Sequence, residues 1–205
     1  MPDAVPGHEE SEEAVEAELA ALEQSAEEPA PVVRVAALAI PLLAGAVVSV
    51  ALGVFGRMHA ARPVSLNLWG GTGGELKVGL TVLAVVLALA QGGSALVIYG
   101  KVPAVLGRIA APGWITTAHR WMGRAAFAAT IPVAVHCLYA LGLQATSVPV
   151  LLHGIAGCVL YGAFTVKMLV LSRDDTPPWA LPAAGGLVLA AIVGAWLTTA
   201  HWLFG

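Results

Sequence analysis

From residue 33 onward the chain alternates between long apolar runs and short polar interruptions, and the runs are too long for strands. Five of them lie near 33–56, 76–99, 118–143, 148–171 and 181–204. Each holds about the 20 residues a helix needs to cross roughly 30 Å of hydrocarbon, at about 1.5 Å per residue. The interruptions carry residues that end helices: Arg57, Arg62 and Pro63 with WGGTGGE; Lys101, Pro103, Arg108 and Pro112; the short QATSVP; and RDDTPPW. Trp69, Trp114, Trp179 and Trp202 fall near the ends of the runs, where amphipathic rings settle at a membrane interface. The pattern predicts an all-α fold, an integral membrane bundle of five transmembrane helices over residues 33–205. QATSVP is so short that the third and fourth helices are expected to be adjacent and antiparallel.

Residues 1–32 read differently. Ten of the thirteen acids lie between Asp3 and Glu28, a stretch without Lys or Arg. Residues 29–205 then carry ten bases against Glu75, Asp174 and Asp175, a net of 10 − 3 = +7, so the overall charge of −3 hides two oppositely charged parts. The head lacks the basic start of a signal peptide, and its charge density predicts an acidic, mostly disordered cytoplasmic tail. Val15, Leu19 and Leu22 have helical spacing, so a short amphipathic helix for a partner is the alternative there. Composition agrees with the membrane reading: 58% hydrophobic, 11% charged and mean hydropathy +0.82, where a soluble domain has about a quarter of its residues charged. The expected surroundings are the lipid bilayer and a larger membrane complex, with no nucleic acid.

Cations orient the bundle. With the N-terminus inside, the cytoplasmic ends hold Arg34, Lys101, Arg108, Arg120, Arg124, Lys167 and Arg173, and the outer ends hold Arg57, Arg62 and Lys77. That excess places the N-terminus in the cytoplasm and the C-terminus outside the cell membrane.

The histidines are the chemical candidates, because an ionisable group within a span needs a cavity, a partner or a metal. His136 and His153 lie about 10 Å and 7.5 Å below the outer ends of the third and fourth helices, and His201 about 5 Å below that of the fifth. His119 belongs to the other end of the third helix, His59 to the first outer loop and His8 to the tail. Level imidazoles on neighbouring helices suit the two axial positions of a b-type haem, so His136 and His153 are the metal-ligand candidates. Gly154, Gly157 and Gly123 would let a flat macrocycle approach, and Arg120, Arg124, Arg57 or Arg62 would pair with its propionates. The plain alternatives are histidines satisfied inside the bundle, glycines that only pack helices, and arginines that only set orientation.

A second haem is harder to build. His119 and His136 are 17 residues apart, which at about 100° per residue turns the rings roughly 100° from each other unless Pro132 changes the phase. The inner level offers only Lys167 and Met168 on the fourth helix and Gln91 on the second. Zinc or copper lacks a nearby carboxylate, Cys137 and Cys158 form no CxxC or CxxCH, and WGGTGGE lacks the context of a phosphate loop.

HRWMGR, PVAVHC and HGIAGCVLYGAFTVK resemble a small family of actinobacterial multi-pass membrane proteins of unknown function, over about residues 33–204. More distantly, a histidine followed by Arg-x-x-Gly, with histidines on neighbouring helices, is similar to b-type membrane cytochromes of the ferric-reductase and ascorbate-reducible kinds. That resemblance implies His119, His136 and His153 as ligands and an electron-transfer subunit, a component of a membrane oxidoreductase. The chain departs from that pattern in lacking the full set of paired histidines, the usual spacing in the third helix and a nicotinamide or flavin domain. The expected function is electron transfer through one outer haem b, between a quinone pool or membrane dehydrogenase and a redox protein outside. A structural membrane subunit without cofactor is the alternative from another class, and a small transporter is weaker because the spans carry no ionisable relay beyond the histidines.

Overall fold

A computed structural model describes residues 15–19, 31–62, 73–101 and 112–204, with the side chains from 200 onward outside the description. Residues 15–19 are helical, with Val15 and Leu19 exposed; the rest of the acidic tail, on which the disorder reading falls, lies outside the described residues. No strand occurs among the described residues. After a helical turn at Pro31–Ala36 come α1 (Ala39–Met58), α2 (Gly73–Ile98), α3 (Gly113–Val135), α4 (Val148–Leu171) and α5 (Ala180–Phe204). The five predicted spans are all present, each long and apolar enough to cross a membrane.

The interior is built from small residues. Ala84, Ala88, Ala129 and Ala191 are buried together with Val85, Leu160 and Ile192, joining α2, α3, α4 and α5 in one core. Large apolar side chains such as Val47, Val50, Val86, Leu152 and Leu197 stay exposed. This inverts the soluble pattern: lipid solvates the outer side chains, and helices gain contact by bringing backbones close.

α1 stands outside that core and packs on α4. Gly45 and Gly162 make the contact: a Cβ on Gly45 would stand 2.7 Å from the Gly162 carbonyl oxygen, and one on Gly162 would meet Ser49 Oγ. α4 packs in turn on α5, α5 on α2, and α2 on α3.

α3 and α4 run antiparallel, as their short connection requires, but their closest backbone neighbours are α2 and α5. Aromatic rings hold the two apart. Phe127 stacks on Phe164 (centroids 3.8 Å, 11°) and meets Tyr161 edge-on (5.6 Å, 65°), while the Tyr161 hydroxyl donates to Thr130 Oγ1 at 3.0 Å.

α3 changes character after Pro132. The proline supplies no backbone N–H, and residues His136–Leu141 continue as a π-helix. Gly142 ends it at φ +70°, a conformation that favours glycine, and a Cβ there would stand 2.9 Å from the Gly56 carbonyl oxygen. Leu143 N–H donates to that carbonyl at 2.6 Å, tying the α3–α4 connection to the end of α1. The α4–α5 connection is closed by Arg173, whose guanidinium donates twice to Asp175 at 2.9 Å. That pairing holds the Asp175 carboxyl below the usual carboxylate range.

Candidate functional site

His153 sits in the second turn of α4, half-buried, with its ring against α5. Nδ1 lies 3.0 Å from the Ala195 carbonyl oxygen, 3.1 Å from Thr199 Oγ1 and 3.3 Å from Thr198 Oγ1. Both threonine hydroxyls already donate to backbone carbonyls of their own helix, Thr199 to Ala195 and Thr198 to Gly194 or Ala195. The Ala195 carbonyl can only accept, so that contact is a hydrogen bond when Nδ1 carries the proton, with the threonine hydroxyls as further acceptors. In that tautomer Nε2 bears the lone pair, and no hydrogen-bond partner for it occurs among the described residues. A held Nδ1–H with a free Nε2 is the state in which an imidazole ligates a metal.

His136 opens the π-helix at the same end of the bundle. Its Nδ1 is buried without a partner. A buried, unpaired polar atom costs about 1–3 kcal/mol. Lys77 of α2 is the cation whose charge reaches His136 and Cys137. Counted along the helices, the two imidazoles fall at one level on different helices, and the His153 ring lies against α5. They make no hydrogen bond or ring stack with each other among the described contacts.

The other candidates separate from this pair. His201 continues α5 at the same end, and its side chain lies outside the described residues. Arg120 and Arg124 are exposed near the start of α3, about 24 Å and 18 Å along the helix from His136, and Arg124 stacks over Trp121 at 5.0 Å. Arg120 and Arg124, offered with Arg57 or Arg62 for propionates, thus lie at the other end of α3 from His136; Arg57, Arg62 and Lys77 are the cations at the His136 end. Arg62 reaches the Tyr139 hydroxyl at 3.5 Å, and His59 stacks between Phe55 (4.9 Å) and Tyr139 (4.6 Å).

Two of the three glycines expected to admit a macrocycle are occupied by protein. Gly154 is covered by Leu143 and Gly123 by Gln91, whereas Gly157, one turn beyond His153, faces open space.

His119 is set deeper than expected, because α3 begins at Gly113. Six residues of helix put it about 9 Å from that end. Nδ1 lies 2.7 Å from Ser94 Oγ, whose own proton goes to the Gln91 carbonyl at 3.0 Å, and the Gln91 amide donates to the His119 carbonyl. Here too Nδ1–H donates, and Lys167 is the cation whose charge reaches the ring.

Ser94, Thr198 and Thr199 are the residues that sequence reasoning passed over. The usable signal was their polarity inside apolar runs, which in a bundle means a partner on another helix. A lateral cleft of about 340 Å³ lies between α1, α3 and α4, lined by Leu52, Phe55, Leu138, Tyr139 and Tyr161 among others, with no histidine in its wall. Among the described residues no three His, Cys, Asp or Glu side chains gather as a metal site.

No curated protein and no solved structure matches the chain. Residues 37–205, nearly all of the membrane-spanning part, match a family of unknown function, DUF6529, and the chain belongs to that family.

Proposed function

We propose that this protein is a membrane-embedded electron-transfer subunit that holds one non-covalent b-type haem at the end of the bundle opposite the N-terminus. His153 and, from the neighbouring helix, His136 are the residues that would hold it. The observation that carries the reading is the Ala195 carbonyl at His153 Nδ1, which accepts from the tautomer whose lone pair is on Nε2. The residues fit such a group in three further respects. His136 falls at the same level with its Nδ1 unpartnered among the described residues, Gly157 has open space beside it one turn from His153, and Arg57, Arg62 and Lys77 supply positive charge for propionates. Similarity to b-type membrane cytochromes belongs to this reading.

The haem would supply one-electron redox chemistry at iron. The chain's own part is to ligate through neutral imidazoles, orient them and exclude water with apolar helices. On this reading the N-terminus is cytoplasmic, the haem lies near the outer face, and the subunit works within a membrane oxidoreductase, fed by a quinol or dehydrogenase.

One observation favours a structural subunit instead: His119 and His153 are both hydrogen-bonded inside the bundle, as purely architectural histidines would be. Purification in mild detergent after expression with ample haem separates the two, through a reduced-minus-oxidised spectrum and a pyridine haemochrome assay. The cytochrome reading expects a b-type band that His153→Ala abolishes and His8→Ala leaves unchanged. A preparation with no haem band leaves the structural reading.

A further inference from the structure

The lateral cleft between α1, α3 and α4 is apolar along its length and polar at one end. Leu52, Ile131, Ala134 and Leu138 give it a wall that exposes no polar atom, and a tyrosine stands at each end of it. Tyr161, about 20 Å along α4 from Val148, closes the deep end, with its hydroxyl donated to Thr130 at 3.0 Å. Tyr139 is at the mouth. Its ring stacks on His59, which stacks in turn on Phe55, and its hydroxyl oxygen lies 3.5 Å from the Arg62 guanidinium.

The cleft therefore runs along the bundle axis, from the helix ends to the middle of the spans. From Ile131 to Tyr139 it follows about 12 Å of helix, close to the ~15 Å of hydrocarbon in one leaflet. At about 340 Å³ it is near the lower limit for ligand pockets. A ring with polar substituents, such as a quinone, finds nothing to bond below the mouth, whereas a hydrocarbon chain needs no partner there. At the mouth the chemistry reverses. Arg62 makes no ion pair among the described residues and has donors left beyond the one that faces Tyr139. The Tyr139 hydroxyl accepts from Arg62 and keeps its own proton to donate. The charges at this end are Arg57, Arg62 and Lys77 against Glu75, a net of 3 − 1 = +2, which favours an anionic head group over a zwitterionic one.

We propose that the cleft binds one anionic phospholipid from the leaflet at the His136 end. One acyl chain lies along Leu52, Ala134 and Leu138, and the phosphate is held by the Arg62 guanidinium and the Tyr139 hydroxyl. His59 is a positioning residue, since its ring holds that of Tyr139 in the stack. The site does not depend on the proposed haem, because no histidine lines the cleft. It gives Arg62 to the lipid and leaves Arg57 and Lys77 as the cations for propionates.

Native mass spectrometry of the delipidated full chain in mild detergent, titrated with phosphatidylglycerol or phosphatidylcholine, reads the site with or without haem. One phosphatidylglycerol per chain is expected to be retained, about tenfold more tightly than phosphatidylcholine. Arg62→Gln should remove that preference, and Tyr139→Phe, which keeps the ring, should weaken binding about threefold. Ala134→Phe fills the cleft and should abolish retention although Arg62 is intact. Arg120→Gln/Arg124→Gln at the opposite end should change nothing. Equal retention of the two lipids, equal affinity in wild type and Arg62→Gln, or full retention in Ala134→Phe would mean surrounding lipid only and overturn the proposal. A lipid-free dimer that Ala134→Phe dissociates would assign the cleft to a second copy of the chain and overturn it too. Selective retention by a preparation with no haem band sinks the cytochrome reading and leaves this site standing.

Discussion

At Gly162 a single hydrogen in place of a side chain decides whether α1 can lie on α4. Its Cβ would collide with Ser49 Oγ and the Gly45 carbonyl oxygen, and a backbone carbonyl cannot turn aside as a long side chain can. Gly162→Ala is therefore expected to cost about 1–3 kcal/mol through forced separation of the helices. Gly157→Ala, five residues earlier in the same helix and with nothing within 4 Å, should be neutral or slightly stabilising. Thermal unfolding of the two variants in the same detergent checks the contrast; equal melting temperatures would show that the α1–α4 contact does not depend on close approach. The histidines follow the same rule of local detail. His153 and His119 are each defined by what accepts from Nδ1, a backbone carbonyl with two threonines in one case and a serine in the other.

Among the elements, α3 does the most to set the geometry of the candidate site. Phe127, Tyr161 and Phe164 keep it away from α4, so the space beside His153 depends on three rings lower in the bundle. Phe127→Ala should remove about 3–5 kcal/mol through the cavity it leaves. It should also reduce or shift any haem band, whereas Phe127→Leu, which keeps most of the volume, should retain it. Loss of stability with an unchanged spectrum would mean that the ring spacer and the His136–His153 level are independent. The span of α4 could be read directly, because an apolar run bounded by Ser147 on one side, with Pro149 in the first turn, and by Arg173 on the other leaves one solution, Val148–Leu171. The start of α3 could not. Thr116, Thr117 and His119 read as polar, yet Pro112 precedes the first helical residue and the helix runs through them, burying His119 against α2. The π-helix after Pro132 was also hidden, since a change of hydrogen-bond register leaves no mark in hydrophobic periodicity. It is the element that sets how His136 is presented. The position of His136 and His153 within their helices could thus be counted from span lengths, but what surrounds the rings depended on neighbours that no single run reveals.

For the whole molecule, five candidate spans crossing in turn would put their two ends on opposite sides of a membrane, and the proposed orientation rests on charge. Arg34, Lys101, Arg120, Arg124, Lys167 and Arg173 gather at the end where α1 begins, against Arg57, Arg62 and Lys77 at the other. That bias favours a cytoplasmic N-terminus, because cations beside a span resist translocation. The exposed Ala60, after α1, and the exposed Asp174, between α4 and α5, are convenient reporters of the two ends. Cys137 and Cys158 are free thiols within the spans, the second buried, and so give little background with a membrane-impermeant reagent. In intact cells Ala60→Cys should react with an impermeant maleimide, and Asp174→Cys should react only after permeabilisation. The reverse labelling would place the His136–His153 level on the cytoplasmic side, leaving the bundle intact but redirecting the proposed electron path. Labelling of both from outside would contradict the odd number of crossings, and with it the shared level of the two imidazoles.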